Sequence, residues 1–269
     1  MREAIRRIEA DYQRCSDTHL IPVSLPSFAV VCRRLASFAG VALYLKDESS
    51  HPTGSLKHRL ARSLFLHALC NVWRHETSTV VETSSGSTAV SEAYFARLLG
   101  LPFIAVMPRG TSPQKLTAIE FHGGSCRLGG RPASDLRRKP APGRRAAWPL
   151  HGPVHLLRAR YRLARQQQHR RKHLQAGDLT LTLAQSSRIE GIGRPRVEAS
   201  FVPGVLDAMV QVPDLWSLAA MHALSVRLGR RVGGSTGTKL IASLACMRSM
   251  QRRGLQGAIV TLLCDGDER

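Results

Sequence analysis

The chain has 269 residues, 43% of them hydrophobic, enough to bury one large core or two smaller ones. Its 39 Lys and Arg against 19 Asp and Glu give a formal net charge of +20. No apolar run approaches the length of about 18 residues that a membrane-crossing helix needs, which argues against an integral membrane protein. The six cysteines, at 15, 32, 70, 126, 246 and 264, form no Cys-x-x-Cys pair and show no metal-ligand spacing. That pattern suits a reducing compartment and no resident metal. Met1 to Ile8 mixes charges and lacks a secretory apolar core. The expectation is a soluble cytoplasmic protein with no membrane partner.

In chain order, residues 1–15 carry the apolar period of an amphipathic helix. His19 to Pro26 reads as extended, and Val41 to Lys46 as a strand. Pro52-Thr53-Gly54 makes a turn, and Ser55 suits a helix N-cap. Leu56, Leu60, Leu64 and Ala68 then recur at four-residue spacing, so a helix is predicted over 56–70. Lys57 falls in its first turn, where the positive end of the helix dipole weakens an ammonium's hold on its proton. A lysine so placed suits imine formation with an aldehyde, although taken alone it reads as an ordinary surface lysine.

Ser78 to Glu82 reads as a strand, Thr83 to Ala89 as a loop, and the following helix runs to Leu99 and stops at Gly100. Pro102 to Pro108 is a nearly all-apolar strand, 113–121 a helix, and Ser125 to Leu128 the start of another strand. Strand, loop, helix and strand repeating at this spacing predict an α/β fold with parallel, helix-covered sheets.

That pattern stops between about 129 and 175. Residues 127–173 hold 14 Lys and Arg and one acid, Asp135, whereas the remaining 25 basic and 18 acidic residues leave the rest of the chain at only +7. Three readings compete for this segment. It is a basic linker for nucleic acid or acidic partners, a solvated basic helix over 156–174, or sequence foreign to the fold. The third is preferred. Gln166 to His173 can be encoded by a string that, read one nucleotide later, gives Asn-Asn-Asn-Ile-Ala-Glu-Ser-Ile, and abundant Arg, Pro and Ala with almost no acid is what an out-of-frame GC-rich gene yields. The aromatic residues there, Trp148 and Tyr161, are too few for a base-stacking platform, so a nucleic-acid partner is disfavoured.

From Asp178 the regular pattern returns. Gly191-Ile192-Gly193 punctuates a loop, Met209 to Val212 reads as a strand, and Pro213-Asp214 opens a helix to about Leu228. Gly233-Gly234-Ser235-Thr236-Gly237 reads as a loop before a helix over 239–252, and Ala258 to Cys264 as a final buried strand.

The run Lys46 to Arg59 resembles the Schiff-base segment of the β-family (fold type II) of pyridoxal-phosphate enzymes, a family that includes cysteine synthase, cystathionine β-synthase, threonine dehydratase and an L-cysteine desulfhydrase. By this resemblance Lys57 is the lysine that holds pyridoxal 5'-phosphate. Thr83 to Ala89 resembles the family's substrate loop, so Ser84, Ser85, Gly86 and Thr88 would hold a substrate α-carboxylate at a helix start. Ser87 stands where the family usually has an Asn beside the cofactor's ring hydroxyl. Ser235 matches the serine that meets the pyridine nitrogen. The wording around Thr83–Ala89 and Glu190–Val197 lies closer to the desulfhydrase branch than to ordinary cysteine synthase.

The resemblance implies two open twisted-sheet domains, incomplete in the middle. The smaller substrate domain would span 48–150, and 1–47 with 174–269 would form the larger cofactor domain, the basic segment 129–173 being aberrant. It also implies β-elimination or β-replacement on a small amino acid such as cysteine or O-acetylserine, and a homodimer. One family element is missing. No Gly-Thr-Gly-Gly-Thr-type loop, the usual cradle of the cofactor phosphate, lies between the basic segment and Gly191. An inactive family member is therefore also in play. Because 129–175 lacks an apolar face and repels itself, limited proteolysis of the purified chain is expected to cut there first. Protection of that segment with cuts elsewhere would identify a folded basic module.

Overall fold

The computed structural model describes residues 1–15, 17–24, 40–71, 78–84, 86–129, 147–149, 187–189, 192, 207–208, 210 and 212–266. They divide into two compact units, Met1–Asp17 with His51–Val154, and Thr18–Ser50 with His155–Glu268.

In the first unit, α1 (Arg2–Cys15), α2 (Lys57–Asn71), α3 (Ser87–Leu98) and α4 (Pro113–Phe121) accompany a four-stranded sheet. Its strands are β3 (Thr79–Glu82), β4 (Phe103–Pro108), β5 (Ser125–Gly129) and β6 (Ala147–Pro149), in the order β5-β4-β3-β6 and parallel at every pairing. Parallel neighbours need crossover connections, which α3 and α4 supply between β3, β4 and β5. Phe103, Ala105 and Met107 of β4 are buried and meet Phe65 and Leu64 of α2 and Ala89, Ala93, Phe95 and Ala96 of α3 in one core. The alanines keep α3 slim enough to sit deep in that core. Ile8 of α1 is fully buried in the same cluster. Residues 1–17 therefore group with 51–154, whereas the sequence resemblance grouped them with the C-terminal half. Ala147–Pro149, inside the basic segment, pair with β3; the rest of that segment, and the proteolysis expectation with it, lies outside the described residues.

In the second unit, β1 (Leu20–Pro22) pairs antiparallel with β2 (Val41–Asp47), which pairs parallel with β7 (Gly257–Leu263). Helices α5 (Asp214–Leu228) and α6 (Gly234–Arg252) pack on each other and share a core with the sheet, formed by Val41, Leu43, Leu45, Leu224, Leu240, Met247 and Leu263. Arg230, just after α5, meets Asp47 at the end of β2, with Nη2 to Oδ2 at 2.5 Å.

Three expectations are corrected here. The glycine run from Gly234 is the first turn of α6, not a loop ahead of it, because Thr238 Oγ1 bonds back to the Gly234 carbonyl at 3.1 Å and to Ser217 Oγ at 2.9 Å, closing the turn against α5. Val210 and Val212 belong to no strand; Met209 and Gln211 lie outside the described residues. The last strand forms but is not buried. Among the described residues it has one neighbour, β2, and Val260 is 55% exposed.

Gly237 marks where α5 and α6 approach most closely. A Cβ there would collide with the Ser217 carbonyl oxygen and come within 2.8 Å of Met221 N. Both partners are backbone atoms, so neither can swing aside. Gly237→Ala is expected to cost about 1–3 kcal/mol, read as a lower melting temperature. Gly110→Ala, where a Cβ meets nothing within 4 Å, should stay within about 0.5 kcal/mol of the parent.

Candidate active site

Lys57 owes its place to the turn before it. Gly54 N–H donates to the His51 carbonyl at 2.7 Å, with Pro52 at the second position and Gly54 at φ +62°. That is a turn a side chain at position 54 would strain. Ser55 Oγ then accepts the Lys57 N–H at 3.1 Å, satisfying one of the donors a helix start leaves open, and Lys57 opens α2 with its side chain half-buried.

The second loop has the same plan. β3 ends at Glu82, Gly86 caps α3 with φ −116° and ψ −168°, and Ser87 is the first helical residue. No side chain caps this helix start; Ala89 N–H bonds back to the Gly86 carbonyl at 3.0 Å, and a start of this kind offers its earlier N–H groups to an anion. Ser84 Oγ lies 3.5 Å from Gly86 N, and Ser84, Gly86 and Ser87 are half-buried. Ser85 lies outside the described residues. Thr88 is 1% exposed, and among the described residues its Oγ1 is buried without a hydrogen-bond partner. A buried hydroxyl left so costs about 1–3 kcal/mol, which a ligand oxygen could recover.

The structure brings these two loops together. Thr53 Oγ1 lies 2.9 Å from Ser91 Oγ, and Ser91 Oγ donates to the Ser87 carbonyl at 2.9 Å. Thr53 Oγ1 also lies 3.3 Å from His58 Nδ1. His58 Nε2 lies 2.9 Å from Asp11 Oδ2, and Tyr94 donates to Asp11 Oδ1 at 2.7 Å. Burial by itself would raise the Asp11 carboxyl, but hydrogen bonds to His58 and Tyr94 outweigh it and hold its pKa below the ordinary value. For His58 burial wins over Asp11 and the pKa falls below 6.5. Tyr94 is raised, first by burial and then by its bond to Asp11.

Ser91, Asp11, Tyr94 and His58 were not visible as site residues in the sequence. The signals available were weak, a histidine directly after Lys57 and a serine four residues after Ser87, on the same helix face.

Ser235 belongs to the second unit. It lies in the first turn of α6, its Oγ fully buried. Residues 264–266 fold back over that turn. Cys264 N–H donates to Thr236 Oγ1 at 3.0 Å, Gly233 N–H donates to the Asp265 carbonyl at 3.2 Å, and Val232 bridges to Gly266. Glu190, and Gly191 and Gly193 of the glycine-punctuated loop, lie outside the described residues.

The family described as pyridoxal-phosphate dependent enzyme matches residues 26–147. An L-cysteine desulfhydrase of Mycobacterium tuberculosis is 44% identical over 325 aligned positions, covering 99% of this chain and 85% of that protein. The chain belongs to the pyridoxal-phosphate-dependent enzymes. Its fold is that of type II members. A cysteine synthase of Entamoeba histolytica superposes with a TM-score of 0.70 at 14% identity, covering 93% of this chain and 85% of that one. A hydrogen sulfide-producing enzyme from Fusobacterium nucleatum does so at 0.69 and 18%, covering 93% and 95%. A cysteine synthase of Aquifex aeolicus is 25% identical over 85% of this chain and 82% of that protein. With 269 residues against 325 aligned positions, at least 56 positions of the desulfhydrase alignment hold no residue of this chain.

The described residues fit part of the cofactor. A lysine heads one helix, and an anion-ready helix start with an unpartnered hydroxyl heads another in the same unit. The stretch that would carry the phosphate cradle lies outside the described residues. Thr88→Val exchanges the unpartnered hydroxyl for a methyl and is expected to leave thermal stability unchanged or up to about 1–3 kcal/mol higher. Ser91→Ala strips a partner from the Thr53 hydroxyl and should lower stability by a similar amount. A loss of stability in Thr88→Val would show that the hydroxyl is already satisfied.

Proposed function

We propose that this chain catalyses pyridoxal-phosphate-dependent β-elimination on L-cysteine, cysteine and water giving pyruvate, ammonia and sulfide, in a reducing compartment. What carries the reading is the pairing, in one unit, of Lys57 at the head of α2 with the open start of α3 and its buried Thr88 hydroxyl. The relative named L-cysteine desulfhydrase supports the substrate, since it matches along nearly the whole chain, whereas the Aquifex aeolicus cysteine synthase matches at 25%. β-Replacement on O-acetylserine is the second reading.

In this assignment Lys57 holds the cofactor and takes the Cα proton. Ser84, Ser85, Gly86 and Thr88 hold the α-carboxylate, with the N–H groups at the head of α3 as its main donors. In the same assignment Ser87 would donate to the ring oxygen of the cofactor and Ser235 would meet its pyridine nitrogen. When bound, the cofactor withdraws the electron pair left at Cα, so that the β-thiol group can leave. A neutral hydroxyl at the nitrogen, in place of a carboxylate, tempers that withdrawal and suits loss of a group from Cβ.

Sulfide release from L-cysteine, measured with pyridoxal phosphate in excess, tests the function. Lys57→Ala is expected to lower it by about 10²-fold or more, and borohydride to trap cofactor on Lys57 in the parent. Thr88→Val should raise KM for cysteine about ten-fold, the worth of one hydrogen bond to a charged group. Absence of sulfide at saturating cofactor, or trapping on another lysine, overturns the assignment. Cofactor affinity is a separate expectation. Without a sequence match to the phosphate cradle, titration of the full chain should show weak binding. Tight stoichiometric binding would mean that residues outside the family pattern cradle the phosphate.

A further inference from the structure

We propose that Asp11, Cys15, His51 and His58 form a binding site for one divalent transition-metal ion of the zinc class. All four belong to the first unit. Asp11 and Cys15 lie four residues apart on one face of α1, His58 is the second residue of α2, and His51 begins the turn before it. His58, Asp11 and His51 are 0%, 1% and 3% exposed.

The spacing fits one ion. His58 Nε2 lies 2.9 Å from Asp11 Oδ2, and Cys15 Sγ lies 3.7 Å from each of them. Nitrogen, oxygen and sulfur at about 2.0–2.3 Å from a tetrahedral zinc stand about 3.3–3.6 Å apart. The ligand atoms of Cys15, His51 and His58 all lie within 4.8 Å of one another, and the His51 ring stacks on His58 with centroids 5.1 Å apart. Closing onto an ion would move the His51 nitrogen by about 1 Å, a small side-chain rotation.

Hydrogen-bond direction adds a second observation. Ser91 has one hydroxyl proton and gives it to the Ser87 carbonyl. With that direction Thr53 donates to Ser91 and its oxygen accepts from His58 Nδ1; with Ser91 donating to Thr53 instead, Thr53 donates to Nδ1 and Nε2–H donates to Asp11. A neutral imidazole protonated at Nδ1 turns the bare Nε2 lone pair on Asp11 Oδ2 at 2.9 Å. In the first arrangement two acceptors face each other at that distance and need a positive species between them. A proton would serve the nitrogen and the oxygen, with the Cys15 thiol bonded to the Asp11 carbonyl at 2.9 Å; a metal ion uses the nitrogen, the oxygen and the sulfur together. The outer contacts are those of a metal site, with His58 Nδ1 bonded to a hydroxyl and Asp11 Oδ1 accepting from Tyr94. Two imidazoles, a carboxylate and a thiolate select zinc, cobalt or nickel over magnesium or calcium. The Cys15 proton leaves to solvent as the ion binds. The ion would staple α1 to the turn that presents Lys57. It holds without cofactor, so it stands apart from the proposed function.

The test uses the full chain without cofactor, purified without a metal-affinity step. Elemental analysis after dialysis is expected to find about one equivalent of metal per chain. The chelator-stripped protein should gain melting temperature on addition of zinc up to one equivalent, and cobalt should give a near-ultraviolet thiolate band. Cys15→Ser should abolish that band, and Cys15→Ser and His51→Gln should each weaken zinc binding about ten-fold or more. His51→Gln keeps the sulfur, and so the band, if Cys15→Ser fails to fold. A chain that isolates without metal and does not respond to zinc overturns the site and leaves a hydrogen bond between His58 and Asp11. Zinc binding that neither variant changes places the ion elsewhere and overturns it too.

Discussion

The Thr53 and Ser91 hydroxyls, 2.9 Å apart and both buried, join the turn that leads into Lys57 to the helix that carries Thr88. Catalysis by positioning tolerates errors of well under an ångström, so in the proposed assignment the heads of α2 and α3 must keep a fixed separation. Apolar packing alone sets such a distance loosely, since side chains of similar volume can repack. A hydroxyl pair cannot slide without breaking, and in a water-excluded place the loss is not made good by solvent. Ser91 also bonds back to the Ser87 carbonyl, which carries the constraint to the first residue of α3.

The rest of the first unit supports that one contact. Thr53 reaches His58, His58 reaches Asp11, and Asp11 receives Tyr94 from the next turn of α3 beyond Ser91. The chain of polar groups thus begins and ends on α3 and passes through α2 and α1. Around it stand Ile8, Phe65 and Phe95, which keep water out and give each hydrogen bond its full strength. Helix α1 is therefore more than a cover on the core, because its carboxylate closes the circuit.

Most of the secondary structure was legible because its signals are local. The four-residue apolar spacing of Leu56 to Ala68, the stop at Gly100, the start at Pro113 and the alternating burial of Phe103 to Met107 each follow from a few neighbouring residues. Lys57 and the Thr83–Ala89 loop were legible as short contiguous runs. What could not be read was anything assembled across sequence distance. Asp11 meets His58 over 47 positions and Tyr94 over 83, and nothing in the local wording of residue 11 announces either. The same reason hid the Asp11, Cys15, His51 and His58 cluster, since cysteine spacing detects only metal sites whose ligands sit close in sequence. The start of α6 was misplaced for the opposite reason. Three glycines in five residues signal a loop locally, but Gly237 sits inside a helix because α5 presses its backbone against it.

The middle of the chain obeys a different logic from both ends. Residues 127–173 carry a net charge of +13 that nothing in either apolar core requires, and the desulfhydrase alignment leaves at least 56 positions unfilled. A segment selected to bind a polyanion would be expected to add basic residues to an intact fold. The family match itself reaches residue 147, and Ala147–Pro149 still pair with β3, so the edge of the first sheet accepts whatever short extended segment the chain supplies. Strand pairing is made by backbone groups and tolerates such a substitution. A phosphate cradle, in contrast, needs converging N–H groups and the glycines that allow them, and an arbitrary basic segment does not supply these. Strand pairing of this kind can therefore survive sequence changes that a phosphate cradle would not.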